Sequence, residues 1–500
     1  MSTARKIFSN TVAQFLGKLL VAILGLASVK IGTNYLGVQG FGEYALVYEF
    51  LAFFGIAADL GLFTIAVKEM SEDEKQIPKI IGNILSLRTF LIVITMATAI
   101  LAVFLIPKYA GTRVPLGVAI ASLTVFFTIL NGTISSVLQT KLKMEVASAA
   151  NVLGKIVSVG TMLYVVFYGF PNDTGTGFYM LIASGILGAA VMFFTTNHYV
   201  KKITPLHYRF DLDLWQNVLK KSLPYGLALI LNTIYFRIDS ILISLIHPQG
   251  DEQLGIYAVA MKMLEQFAIL PLYFMNSVLP VLTKAIKENS EKYRTIIRHA
   301  FDFLAAMAFP VVVGGFILAF PIVFIVATPE FLSNLAEGFY GSDIALQILI
   351  FALLFQFLNV LFAFILISVD KQTKLLYVNA IGVIINLALN FAVIPKYGFL
   401  GAAATSVLSE FYILCATYYL AKKHLKFSLS FKNFFKIIFS ALVMGYAVYY
   451  LQTPTYNLLQ NWNVLLLVPL GATVYAAMLF FTKTINRDIL SLLAKRPPKP

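Results

Sequence analysis

Six basic side chains, Lys18, Lys30, Arg88, Lys155, Arg237 and Lys262, fall inside long apolar runs of this chain. A cation at bilayer depth costs about 2.5–3.5 kcal/mol on insertion scales, so it usually faces a protein-lined cavity or an acidic partner. Arg offers a planar fork and Lys a compact point charge, and both suit phosphate or carboxylate groups. The pattern points to holding an anion rather than to bond-making chemistry. Acids share these runs: Glu49, Asp59, Asp239, Glu265, Asp302 and Glu410. Lys262 and Glu265 are one helical turn apart and can meet. Arg237 and Asp239 are two residues apart, so they point about 200° away from each other on a helix, and each needs another partner or water. Glu410 lies near the middle of its run, where a carboxylate is either paired or protonated, which makes it a candidate for coupling to H+ or Na+.

Depth separates the six cations. Lys155 is ten residues into its run, about 15 Å at 1.5 Å per residue, near the middle of a ~30 Å hydrocarbon core. Lys18 and Arg88 are about 12 Å from one side and Lys262 about 12 Å from the other. Arg237 sits in the outer half of its run. Lys30 is close to an end and is expected to snorkel to the headgroups. The candidate anion-binding residues are therefore Lys18, Arg88, Lys155, Arg237 and Lys262. The candidate ion-coupling or charge-partner carboxylates are Asp59, Asp239, Glu265 and Glu410. Polar stripes run with them: Asn10, Gln14 and Lys18; Ser148, Asn151, Lys155 and Ser158; Asn379, Gly382, Asn386 and Asn390. Small and polar residues at helical spacing also serve close helix–helix packing.

The elements that must position these residues are membrane helices. Of 500 residues, 59% are apolar and only 12% charged, and the mean hydropathy is +0.82. Segments of about 20 apolar residues span a bilayer. The chain is read as an all-α polytopic membrane protein with about 14 such spans between residues 10 and 483. An internal repeat organises them. Phe41-Gly42-Glu43-Tyr44-Ala45 opens span 2 and Leu254-Gly255-Ile256-Tyr257-Ala258 opens span 8, each following a long apolar span and a short loop with Gln-Gly. The division expected is a six-helix lobe over 1–200, a second over 217–421, two further helices over 433–483 and a basic tail over 484–500. Six spans per half give parallel repeats about an axis along the membrane normal.

With the N-terminus taken as cytoplasmic, segments on that side hold 29 of the 38 Lys and Arg, and outer segments hold three: Lys108, Arg113 and Lys396. This asymmetry places both termini in the cytoplasm, in a plasma membrane, and accounts for the net charge of +14 without a nucleic-acid partner. The five histidines sit at span ends or in connections without metal-ligand spacing, so no metal or cofactor is expected. Cys415, the one cysteine, allows no disulfide within the chain. No GxSxG, HExxH or P-loop pattern occurs, and an enzyme is not expected.

Several short motifs, in this order, resemble a known family. They are Asn10-x3-Gln14-x3-Lys18, Tyr35-Leu36-Gly37-x3-Phe41-Gly42-x-Tyr44, Phe236-Arg237-Ile238-Asp239-x2-Leu242-Ile243, Leu254-Gly255-x-Tyr257 and Pro395-x-Tyr397-Gly398-x2-Gly401-Ala402-Ala403. The chain is similar to polysaccharide exporters of the multidrug/oligosaccharidyl-lipid/polysaccharide (MOP) superfamily, which include Wzx-type O-antigen flippases. The resemblance implies two six-helix lobes opening alternately to either side, and transfer of an isoprenoid-diphosphate-linked oligosaccharide from the cytoplasmic to the outer leaflet. It implies membrane lipids, a polysaccharide polymerase and glycosyltransferases as partners. Spans 13 and 14 match fourteen-span exporters and lipid II flippases better than twelve-span drug antiporters. A lipid II flippase and a cation-coupled multidrug exporter are the alternatives.

Overall fold

The computed structural model describes residues 3–288, 290–429 and 431–484; apart from Thr484, the basic tail expected over 484–500 lies outside the described residues, as does the Asn10 side chain. The described residues are 89% helical and contain no strand. The main helices are α1 (Thr3–Asp59), α2 (Leu62–Glu72), α3 (Ile77–Leu105), α4 (Val114–Thr140), α5 (Met144–Tyr164), α6 (Thr174–Lys201), α7 (Leu212–Ile246) and α8 (Gly250–Ala268). They continue as α9 (Leu270–Lys287), α10 (Lys292–Ile317), α11 (Ala319–Val326), α12 (Ser342–Ser368), α13 (Gln372–His424), α14 (Phe431–Leu459) and α15 (Val464–Phe481). With no water in a bilayer core, backbone groups must bond within their own segment, which leaves helices as the solution for such a chain.

Eleven stretches of the described residues are long and apolar enough to cross a membrane. Three of them, Leu16–Glu72, Gln372–His424 and Phe431–Phe481, run 57, 53 and 51 residues, more than twice the ~20 that one crossing needs. Each contains a break, at Gly37, Gly398 and Gln460 respectively, and dividing them there yields the fourteen expected spans. Gly37 (φ 66°, ψ −174°) occupies a backbone region open essentially to glycine alone. The expected loop around Gln39-Gly40 is not a loop. Helix resumes directly after Gly37, because one glycine in that conformation reverses the chain without further residues. Span 8 is also interrupted: α8 stops at Ala268 and α9 restarts with Pro271 in its first turn, where the missing N–H is tolerated.

The chain divides into two compact units, one of residues 1–258 and 390–399, the other of 259–389 and 400 onward. In the first, buried Leu62, Ile65, Leu87 and Val218 form one apolar cluster, and Tyr35, Met162, Val165 and Leu181 another. The Tyr35 hydroxyl donates to the carbonyls of Phe170 and Asp173, the latter at 2.9 Å, and so ties α1 to the α5–α6 turn. The long connection between α6 and α7 is strapped onto α3. Arg209 N–H donates to Ser86 Oγ at 3.0 Å and Asp211 N–H to Asn83 Oδ1 at 2.8 Å. Asp211 also caps α7 and pairs with Lys79 at 3.2 Å. The Leu214 N–H and the Lys79 ammonium together hold its carboxyl below the ordinary carboxylate range.

The second unit has its own core, with fully buried Leu304, Leu361, Ile365, Ile437 and Leu467 drawn from α10, α12, α14 and α15. The Tyr475 hydroxyl donates to the Ala306 carbonyl at 2.9 Å, joining α15 to α10. Large apolar side chains such as Leu101, Leu105, Tyr446 and Leu465 lie on the outside, as a surface facing lipid requires.

The backbone of Gly37 makes the first prediction. Gly37→Ala forces a side chain into a glycine-only region and is expected to destabilise by about 1–3 kcal/mol. Gly160→Ala, where a β-carbon meets nothing within 4 Å, is expected to leave stability unchanged. Thermal unfolding of the detergent-solubilised variants measures both.

Candidate functional site

Within the first unit, α1 carries three carboxylates, Glu43, Glu49 and Asp59. At 100° per residue, Glu49 lies about 240° around the helix from Glu43, and Asp59 about 280° beyond that. Three azimuths mean three neighbours, and each acid meets a different arginine. Glu43 takes Arg113, from the turn before α4, through Nε at 2.8 Å and Nη2 at 2.6 Å. Glu49 takes Arg237 of α7 at 2.6 Å. Asp59 takes Arg88 of α3, whose Nη1 also donates to Thr133 Oγ1 of α4 at 3.0 Å.

The three pairs are oriented differently. In Arg237–Glu49 the arginine side chain is 27% exposed and the glutamate side chain 7%; in Arg113–Glu43 the values are 31% and 7%. In both, the arginine is the more exposed partner. In Arg88–Asp59 the order is reversed, with Arg88 3% exposed and Asp59 30%. Arg88 is thus arranged as a buried bridge holding α1, α3 and α4 together. Arg113 is held further by the Thr174 carbonyl at 3.4 Å and by the Phe178 ring, 4.7 Å from its guanidinium carbon. The sequence alone places it as an outer-segment cation, and no local pattern marks Glu43 as its partner.

The other expected site residues fall as follows. Asp239 is buried and accepts from Asn390 Nδ2 at 2.6 Å and from the Tyr257 hydroxyl at 3.2 Å. Arg237 and Asp239, which point apart on α7, therefore have separate partners. Asn390 belongs to the Asn379–Asn390 stripe, but its acidic partner 151 residues away could not be read from that stripe. Lys155 is half-buried eleven residues into α5, and Lys18 is exposed on α1, where the buried Gly17 packs against Ser148 of α5. In the second unit, Lys262 meets Glu265 at 3.4 Å, as their spacing suggested, with both side chains about 30% exposed. Glu410 is buried on α13. Asp302, close to a span end, accepts from Asn433 Nδ2 of α14 at 2.8 Å. Among the described residues no group of His, Cys, Asp and Glu is arranged to hold a metal ion.

Comparisons with known proteins show one family over more than half of the chain. A family model described as "Polysaccharide biosynthesis protein" matches residues 7–286, more than half of the chain, and a second described as "MatE" matches 224–392. The capsular polysaccharide biosynthesis protein CapF of Staphylococcus aureus is 25% identical over 270 residues, 52% of this chain; the match spans 64% of the length of that relative. The probable flippase AglR of Haloferax volcanii is 22% identical over 75% of each chain. In fold, the chain resembles the lipid II flippase MurJ in an inward closed conformation (TM-score 0.73, 18% identity, 95% of this chain and 99% of that one). It also resembles an inward-facing MATE multidrug transporter of the MOP superfamily (TM-score 0.64, 15% identity, 82% of this chain and 97% of that one).

The buried bridge makes the second prediction. Asp59→Leu strands the Arg88 charge, and breaking a buried pair costs about 3–5 kcal/mol, toward the low end here because Asp59 is partly exposed. The double variant Asp59→Leu/Arg88→Leu removes the stranded charge and is expected to regain most of the loss. Thermal unfolding of both variants reads the difference.

Proposed function

This chain belongs to the polysaccharide biosynthesis protein family, and from that premise we propose that it is a flippase for an isoprenoid-diphosphate-linked oligosaccharide. The observation that carries the reading is the orientation of the Arg237–Glu49 pair. About 14 Å from the end of α7, the Arg237 side chain is the more exposed partner and Glu49 is buried, so the member of the pair more open to an incoming ion is the cation. An acid-fronted site would suit a cationic drug; a cation-fronted one suits a diphosphate.

In this reading Lys18, Lys155, Arg237 and Lys262 hold the diphosphate and any acidic sugars, and Arg88, engaged by Asp59 and Thr133, stiffens the wall behind them. Asp239 with Asn390, and Glu410, are the candidates for coupling to H+ or Na+; Glu265 and Asp59 serve as charge partners. The repeat halves 1–200 and 217–421 alternate between opening to the cytoplasm and to the outside, and helices 433–483 accompany the lipid tail. The distribution of Lys and Arg, 29 against three in the connecting and terminal segments, supports cytoplasmic termini in a plasma membrane and transfer from the inner to the outer leaflet. Polymerase and glycosyltransferases act before and after it.

Lys155→Ala and Arg237→Ala are each expected to reduce export of the polysaccharide at least about tenfold, the loss of one charge-assisted contact, with membrane protein level unchanged. Export measured in cells, normalised to protein in the membrane, decides. Normal export in both variants sinks the assignment, and complementation of a strain lacking its lipid II flippase, in place of an exporter-deficient one, would redirect it to that substrate.

A further inference from the structure

The internal repeat sets Gly42 and Gly255 at equivalent positions, and in the structure these two buried glycines face each other. A β-carbon on Gly42 would run into the Asp251 carbonyl and stand 2.9 Å from Gly255 N; one on Gly255 would run into the Val38 carbonyl and stand 3.3 Å from Gly42 N. Atoms related by a two-fold axis approach each other only on that axis. The contact therefore marks where the symmetry axis of the repeat leaves the helices, at the end where α1 breaks.

The surroundings are tied to it. Asp251 accepts from Ser244 Oγ at 3.0 Å, and Lys108 Nζ donates to the His247 carbonyl at 2.6 Å. Gln253 Oε1 accepts from Phe399 N–H at 3.1 Å, next to the break at Gly398. The contact itself, however, is backbone against backbone, between helices whose N–H and C=O groups bond within their own segments. Between the two glycines themselves there is no charge and no ladder of hydrogen bonds; parting them forfeits dispersion and weak Cα–H···O contacts. That is a seal that can open and close repeatedly.

We propose that the Gly42–Gly255 contact is the outer closure of this transporter: the two backbones part to open the outward path and rejoin to seal it, and a β-carbon at either glycine props it open. The proposal rests on the alternating-access reading above.

The test uses the full-length protein with Cys415→Ala and a reporter, Ala45→Cys, one turn below Gly42 and 4% exposed. A membrane-impermeant maleimide is applied to right-side-out and inside-out vesicles. Gly42→Ala and Gly255→Ala are each expected to speed labelling from the outside about tenfold, as a minor open population rises from ~1% to ~10%. Gly160→Ala serves as the control. With both glycines intact, labelling is expected during polysaccharide export and to fall when synthesis of the lipid-linked substrate is blocked. Unchanged labelling in both alanine variants, or a reporter that stays unlabelled during export, overturns the closure. Faster labelling from the inner face alone overturns its placement on the outside. Faster labelling with Lys155→Ala and Arg237→Ala still exporting leaves the closure standing and sinks the diphosphate reading instead.

Discussion

The three carboxylates of α1 are the constraint from which the first unit follows. A membrane protein gains little from apolar contact between helices, since lipid is as apolar as leucine, so ion pairs and hydrogen bonds carry more of the specificity of packing. Glu43, Glu49 and Asp59 point in three directions, and the arginines that answer them come from the turn before α4, from α7 and from α3. The pairs thereby fix which neighbour lies on which side of α1. The break at Gly37 is part of the same arrangement, because it sets where the second half of α1, with its three acids, begins.

A buried pair is neutral as a whole, yet its two members need not be equally visible. With Glu49 behind Arg237 and Glu43 behind Arg113, the acids lower the energy of keeping a cation at depth without cancelling it at the exposed side. In the proposed reading, an anion arriving at Arg237 meets a side chain already held in place, which lowers the ordering cost of binding. Arg88 shows the opposite arrangement, with the arginine buried and its acid the more exposed partner.

Much of this was legible in the sequence because the bilayer permits so few solutions. Fourteen apolar runs and the repeat at Gly42 and Gly255 are readable from it, whereas Gly37 and Gly398 stand out only as motif residues and the loop expected at Gln39-Gly40 is helical. The divergence of Arg237 from Asp239 followed from helix geometry alone. The identity of their partners did not: Glu49 is 188 residues from Arg237, and Asn390 is 151 from Asp239. Such pairings are set by packing, and a single sequence carries no spacing that encodes them. The same limit hides that Arg88 is paired with Asp59 and that Arg113, in an outer segment, is paired with Glu43.

The cations are also not equivalent in how much negative charge already attends them. Lys262 meets Glu265, three residues further along α8. Arg88 is engaged by Asp59, and Arg237 by a carboxylate behind it. The acid that meets each of these cations comes from a different source: a neighbouring helix for Arg88 and Arg237, the next turn of its own helix for Lys262.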